Sequence, residues 1–256
     1  MKHTELLKKL STSGMRVFST QGILSIAGDL GINSSYLSTL LRRLNKQGFI
    51  RKLYKGTFAL SNDVLAGSPL HEFEIAHHLI SPSAICCWSA MAYHGLTDQV
   101  LRTVFIMSPY GQTIQSSSKY IYTIENTRYV IIRVKPLLYF GVEDKFMTEI
   151  PFSITNINRT LIDGLVRPQY CGGFLEVLEA FNTAQDRINP QQLIEYAGKF
   201  GVSTQKRLGW VFETIGIFSQ ESLALQKLPC TNYYPIDVSK PNEGVLLGEW
   251  NLRRNF

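Results

Sequence analysis

Between Asn33 and Gly48 the chain is most tightly constrained. Leu37, Leu40, Leu41 and Leu44 recur at i, i+3, i+4 and i+7. At about 100° per residue they form a single apolar stripe. Asn33 or Ser34 can accept hydrogen bonds from the unpaired first-turn amides, and Gly48 tolerates the left-handed conformation that stops a helix. The spacing predicts a helix to about Gln47 that must bury one side. Its opposite face carries Ser35, Thr39, Arg42, Arg43 and Lys46, with Tyr36 and Ser38 at the edges. Three cations and no acid lie there.

The flanks extend the pattern. Leu6, Leu7 and Leu10 share one face of a helix over 3–10. Val17 and Phe18 read as a short strand. Ser19 or Thr20 can cap a helix over 21–30, with Ile23, Leu24, Ala27 and Leu30 inward, and Gly31 ends it. Two strands, Phe49–Leu53 and Thr57–Leu60, turn at Tyr54-Lys55-Gly56. Helix, short strand, helix, tight turn, helix and hairpin is the order of a winged helix-turn-helix, expected over 1–62.

Charge separates this segment from the rest. Residues 1–60 hold ten basic residues and two acids, Glu5 and Asp29, a local charge of +8 against +6 for the whole chain. A small basic module on a near-neutral body implies a polyanionic partner for the module. An α-helix fits the major groove, and the first turns of a recognition helix reach base edges. The expected DNA-binding residues are therefore Ser34, Ser35, Tyr36, Ser38, Thr39, Arg42, Arg43 and Lys46, joined by Arg51, Lys52 and Lys55 of the hairpin. Arginine can chelate guanine or hold phosphate.

Ser61–Pro69 is rich in turn-forming residues and reads as a linker to a second domain over 70–256. That body alternates. Helices are expected at about 71–80, 86–95, 158–166, 173–184, 190–200, 204–215 and 220–227. Strands are expected at about 102–107, 120–125, 128–134 and 137–147. The tail from Pro229, rich in Pro, Asn and Gly, is expected to be irregular. The fold class is α+β, with a mixed C-terminal domain of a small sheet and several helices.

Other functions find little support. No run of about 18 apolar residues is present to span a membrane, and Met1–Leu10 is not a secretory signal. Cys86, Cys87, Cys171 and Cys230 lack C-x-x-C spacing, so packed, reduced thiols in a cytoplasmic protein are expected rather than a zinc site or disulfides. His94, before Gly95, is expected at a helix C-terminus, where a protonated imidazole is favoured. His77 and His78 are adjacent and make a poor metal pair. Arg159 and Asp163 are an i, i+4 helix pair. Glu143 and Lys145, two apart, with Asp163 brought in from elsewhere, form the one weak nuclease pattern. Arg128, Arg133, Lys135, Lys199, Lys206 and Arg207 are expected on solvated faces. No catalytic residue, metal or cofactor is expected, and the chain is expected not to be an enzyme.

The sequence resembles a known family along nearly its whole length. Tyr36-Leu-Ser-Thr-Leu-Leu-Arg-Arg-Leu-Asn-Lys-Gln-Gly48, followed by a Lys-Gly-Thr-Phe wing, resembles the N-terminal domain of AbiEi-type antitoxins. Cys87-Trp-Ser-Ala-Met-Ala-Tyr-His-Gly-Leu-Thr-Asp98, Arg159-Thr-Leu-Ile-Asp163, Arg167-Pro, Cys171-Gly-Gly173, Arg207-Leu-Gly209 and Trp250-Asn-Leu-Arg253 continue it in order. The adjacent pair Cys86-Cys87 departs from the pattern. The resemblance implies a transcriptional autorepressor that binds operator repeats and is the antitoxin of a phage-defence toxin–antitoxin pair. It further implies a nucleotidyltransferase-like toxin as functional partner, with no direct contact between the two. Two other functions stay open. One is a regulator whose body senses a small molecule, and the other is a nuclease targeted by its DNA-binding module.

Overall fold

Leu6, Leu10, Ile23, Leu37 and Leu44 are wholly excluded from solvent, and around them the N-terminal elements assemble. In the computed structural model, which describes residues 2–65, 70–110, 120–147, 150–217 and 220–256, these elements are α1 (Lys2–Thr12), β1 (Val17–Ser19), α2 (Leu24–Asp29), α3 (Ser34–Lys46), β2 (Ile50–Tyr54) and β3 (Thr57–Leu60). The strands form an antiparallel sheet in the order β1-β3-β2, with Phe18 opposite Phe58 and their rings stacked at 6.1 Å.

α2 starts later than its sequence predicts, and neither expected residue caps it. The Ser19 hydroxyl accepts from the Gly22 amide at 2.9 Å, while the Thr20 hydroxyl donates to the Gly56 carbonyl at 3.2 Å. Thr20 is thereby committed to the hairpin turn, and Thr20–Ile23 runs as a turn into the helix.

The described residues fall into two compact units, the first comprising those up to Ser81 and those of 120–128, the second those of 82–110 and those from Tyr129 on. The first is thus longer than the segment expected from the sequence. It includes α4 (Glu72–Leu79), which packs on β1. The buried Glu74 carboxylate accepts from the His71 amide at 2.9 Å and pairs with Arg16 at 3.5 Å, which ties α4 to the segment before β1. Part of the expected linker, 66–69, lies outside the described residues.

In the second unit lie β4 (Ala84–Ile85), α5 (Cys87–Tyr93) and β5 (Thr103–Pro109). The next strand along the chain, β6 (Ile121–Ile124), belongs to the first unit. There follow β7 (Thr127–Val134), β8 (Val142–Met147), β9 (Ile150–Thr155), α6 (Ile157–Val166), α7 (Phe174–Thr183), α8 (Pro190–Gly198), α9 (Val202–Thr214) and α10 (Gln220–Gln226). The strands run β7-β5-β4-β9-β8, with β4 antiparallel to β5 and parallel to β9. The strand expected at 137–147 is split: Pro136–Leu138 is a 3-10 turn, and β8 follows it.

The tail is not irregular. β10 (Tyr234–Pro235), β11 (Val245–Leu247) and β12 (Leu252–Arg254) form a small sheet in the order β10-β12-β11. Ile236, Trp250 and Leu252 are buried in the core of the second unit. Trp250 lies so close to Gly209 of α9 that an added Cβ would sit 2.2 Å from the ring. Burial of three large apolar side chains outweighs the loop-forming composition.

Two expected surface cations are interior. Lys206 donates to the Gln226 carbonyl at 2.6 Å and Arg207 to the Pro235 carbonyl at 2.8 Å, at 0% and 5% exposure. Each meets a backbone oxygen that α10 or the tail brings in. Among the described residues no helix is long and apolar enough to cross a membrane.

Candidate nucleic-acid interface

The side chain of Asn33 caps α3 by accepting from the Tyr36 amide at 2.8 Å and from the Ser35 hydroxyl at 3.1 Å. Leu37, Leu40, Leu41 and Leu44 face inward at 2% exposure or less. That burial fixes the rotation of the helix. Ser34, Ser35, Tyr36, Ser38, Thr39, Arg42, Arg43 and Lys46 are consequently all exposed.

The two arginines do not share a direction. Arg42 lines a cleft of about 220 Å³ between α3 and the hairpin, together with Thr20, Ser38, Asn45, Lys52 and Phe58. Arg43 lies about 100° further round the helix, on the flank of Tyr36 and Gln47. Asn45 fixes the cleft, since its side-chain oxygen accepts from the Lys52 amide at 2.9 Å. Thr20, expected only as a helix cap, and Asn45 were not among the expected site residues; both are polar residues whose place in the cleft depends on the hairpin folding back on α3.

Some of the other N-terminal charges are engaged. Lys9 pairs with Asp29 at 3.4 Å, and Lys2 donates to the Gly31 carbonyl at 2.9 Å, so both hold α1 against the end of α2. Among the described residues Arg42, Arg43, Lys46, Lys52 and Lys55 make no ion pair. Arg51 differs from its neighbours. It is half-exposed and forms a hydrogen-bonded ion pair with Glu125, a residue of the same unit.

The weak nuclease pattern does not come together. Lys145 pairs with Glu143 itself at 2.7 Å on β8. Asp163 lies at 1% exposure on α6, bonded to Arg159 at 3.0 Å. Arg159 in turn donates to the carbonyls of Leu138 and Phe140 and stacks on the Phe140 ring. Burial pushes the Asp163 carboxyl up to about 6, against the pull of Arg159 and Arg167. Among the described residues no group of three His, Cys, Asp or Glu is placed to hold a metal ion. His94 caps α5 as expected, but its proton balance is the reverse of the helix-end expectation. Its Nε2 bonds the Thr155 carbonyl at 2.7 Å, and burial lowers its pKa. Desolvation outweighs the hydrogen bond to the Thr155 carbonyl here. The four cysteines are free thiols, with Cys86, Cys87 and Cys171 buried.

No family model matches this chain, and no curated protein matches it. Among solved structures the chain is similar to the RV2827C protein from Mycobacterium tuberculosis, with a TM-score of 0.68 over 98% of this chain and 90% of that one. The two are 13% identical, so the likeness shows a shared α+β fold alone.

Proposed function

We propose that the N-terminal elements of the first unit are a winged helix-turn-helix that binds double-stranded DNA. α2 and α3 are the two helices of the motif, and the β2–β3 hairpin is its wing. The observation that carries this is the outer face of α3, where Ser35, Thr39, Arg42, Arg43 and Lys46 are exposed without an acid among them, beside Lys52 and Lys55. Small hydroxyl residues let the helix approach base edges closely. Arg42 and Lys52, across one cleft, suit a backbone phosphate, and Arg43 is directed elsewhere along the groove.

The test is a gel-shift titration at several salt concentrations. Arg42→Ala with Arg43→Ala is expected to weaken binding and to flatten the slope of log K against log salt by about 0.9 for each phosphate no longer neutralised. Native affinity and slope in that variant would remove the assignment.

Within this reading the chain is a transcriptional autorepressor and an antitoxin opposing a nucleotidyltransferase-like toxin. The support is the resemblance to AbiEi-type antitoxins. Many residues that carry it in the second unit are packing residues. Ser89 bonds the Phe105 amide and the Thr103 carbonyl, Gly172 admits Trp88, Gly209 admits Trp250, and Arg159 holds Asp163. They support a shared scaffold more directly than a shared chemistry. Co-expression with a nucleotidyltransferase-like toxin encoded beside this chain tests the antitoxin half, and the expected result is restored growth. Continued growth arrest counts against it.

A further inference from the structure

We infer that Glu125 is an internal anion that occupies Arg51 in the free protein and thereby limits how many DNA phosphates the interface engages. The inference rests on the DNA-binding reading and concerns the regulation of that same surface.

Arg51 lies on β2, next to exposed Lys52 and paired in register with Ala59 of β3. Its guanidinium is bonded to the Glu125 carboxylate, and both side chains are partly exposed. Neighbouring contacts hold the carboxylate there. The ring of Tyr122 lies 6.1 Å from that of Tyr54 on β2, and the Tyr54 hydroxyl donates to the His78 carbonyl of α4. Glu125 itself sits at φ +54°, a conformation uncommon for a residue other than glycine. The backbone turn is thus held in a less favoured state while presenting an acid to the wing.

Carboxylate and phosphate offer arginine the same chemistry, two oxygens for a planar fork of N–H donors. A DNA phosphate reaching Arg51 therefore replaces Glu125 rather than adding to it. The displaced carboxylate also adds a negative charge beside the polyanion. An exposed ion pair contributes little stability of its own, but displacing it would leave a free carboxylate beside the polyanion, so the native chain keeps Arg51 on Glu125 and engages one phosphate fewer.

The experiment is a fluorescence-anisotropy titration of a labelled, non-operator duplex against the full chain across a salt series. Glu125→Gln is expected to bind about fivefold more tightly at ~0.1 M salt, with a slope steeper by about 0.9, the signature of one further phosphate neutralised. Glu125→Asn is expected to do the same while suiting the positive φ, because asparagine accepts that conformation readily. Adding Arg51→Ala to either variant is expected to abolish the gain in slope. A native slope in both Glu125 variants overturns the inference, and so does a gain that survives Arg51→Ala. Failure of the native chain to bind the duplex at any salt concentration overturns the DNA-binding reading itself, and is seen before any variant is made.

Discussion

Arg42 and Arg159 put the same guanidinium to opposite uses. In the first unit the arginines of α3 stand in solvent over an aliphatic core of Leu37, Leu40, Leu41 and Leu44. In the second, Arg159 is inside the core, with 0% exposure, holding Asp163 and two backbone carbonyls. Lys206 and Arg207 repeat the device on α9. Exposed charge keeps its hydration and stays available to a partner. Buried charge is desolvated, so it persists only where carbonyls or a counter-ion replace water. The first unit can therefore present its cations, while these cations of the second are consumed in holding its architecture.

The sharpest way to break this comparison is Arg159→Ala. It leaves Asp163 buried and without its main partner, and should destabilise the chain by about 3–5 kcal/mol in urea titration. Arg159→Leu with Asp163→Leu should recover most of that loss, since the uncompensated charge is gone. Recovery absent from the double variant would show that the carbonyl contacts matter more than the ion pair. In the first unit, Leu41→Ala should cost about 3 kcal/mol through the cavity it leaves. It should also weaken the proposed DNA binding, because the stripe sets the rotation of α3.

The pH dependence differs between the native chain and Asp163→Asn. The folded carboxyl titrates near 6, above the ordinary value of 3.8. Its contribution is therefore fully present below about pH 3.8 and is lost as pH rises through about 6, a span of roughly 2–3 kcal/mol. Asp163→Asn should lack that fall, as read from denaturation midpoints across pH 4 to 7. The smallest expected effect is Arg42→Ala with Arg43→Ala on stability, within about 0.5 kcal/mol for exposed positions. Set against the expected effect on the proposed DNA binding, that contrast would separate partner-facing charges from structural ones.

Much of the first unit was legible because its signals are local. A cap, a leucine stripe and a glycine stop lie within a span of 16 residues from Asn33 to Gly48. The hairpin pairs neighbours in sequence, Ile50 with Leu60. The exposed residues on α3 follow from the same periodicity. Less legible was everything that depends on distant partners. β9 carries Pro151 and escaped notice, yet it pairs along β8 and meets β4 at Ile154. Its proline sits near the start of the strand, where a missing amide does least harm. β4 spans two residues, too short for any alternation to show.

The amino-acid sequence by itself determined the rotation of α3, its helix ends and the location of excess positive charge, since each depends on residues within a few turns of one another. Only the tertiary structure decided which cations remain available. Arg51 looks equivalent to Lys52 in sequence, but Glu125, 74 positions away, is bonded to it. Lys206 and Arg207 look like surface charges until α10 and the tail cover them. Charge is written in composition, whereas desolvation and pairing arise when the chain brings distant groups together.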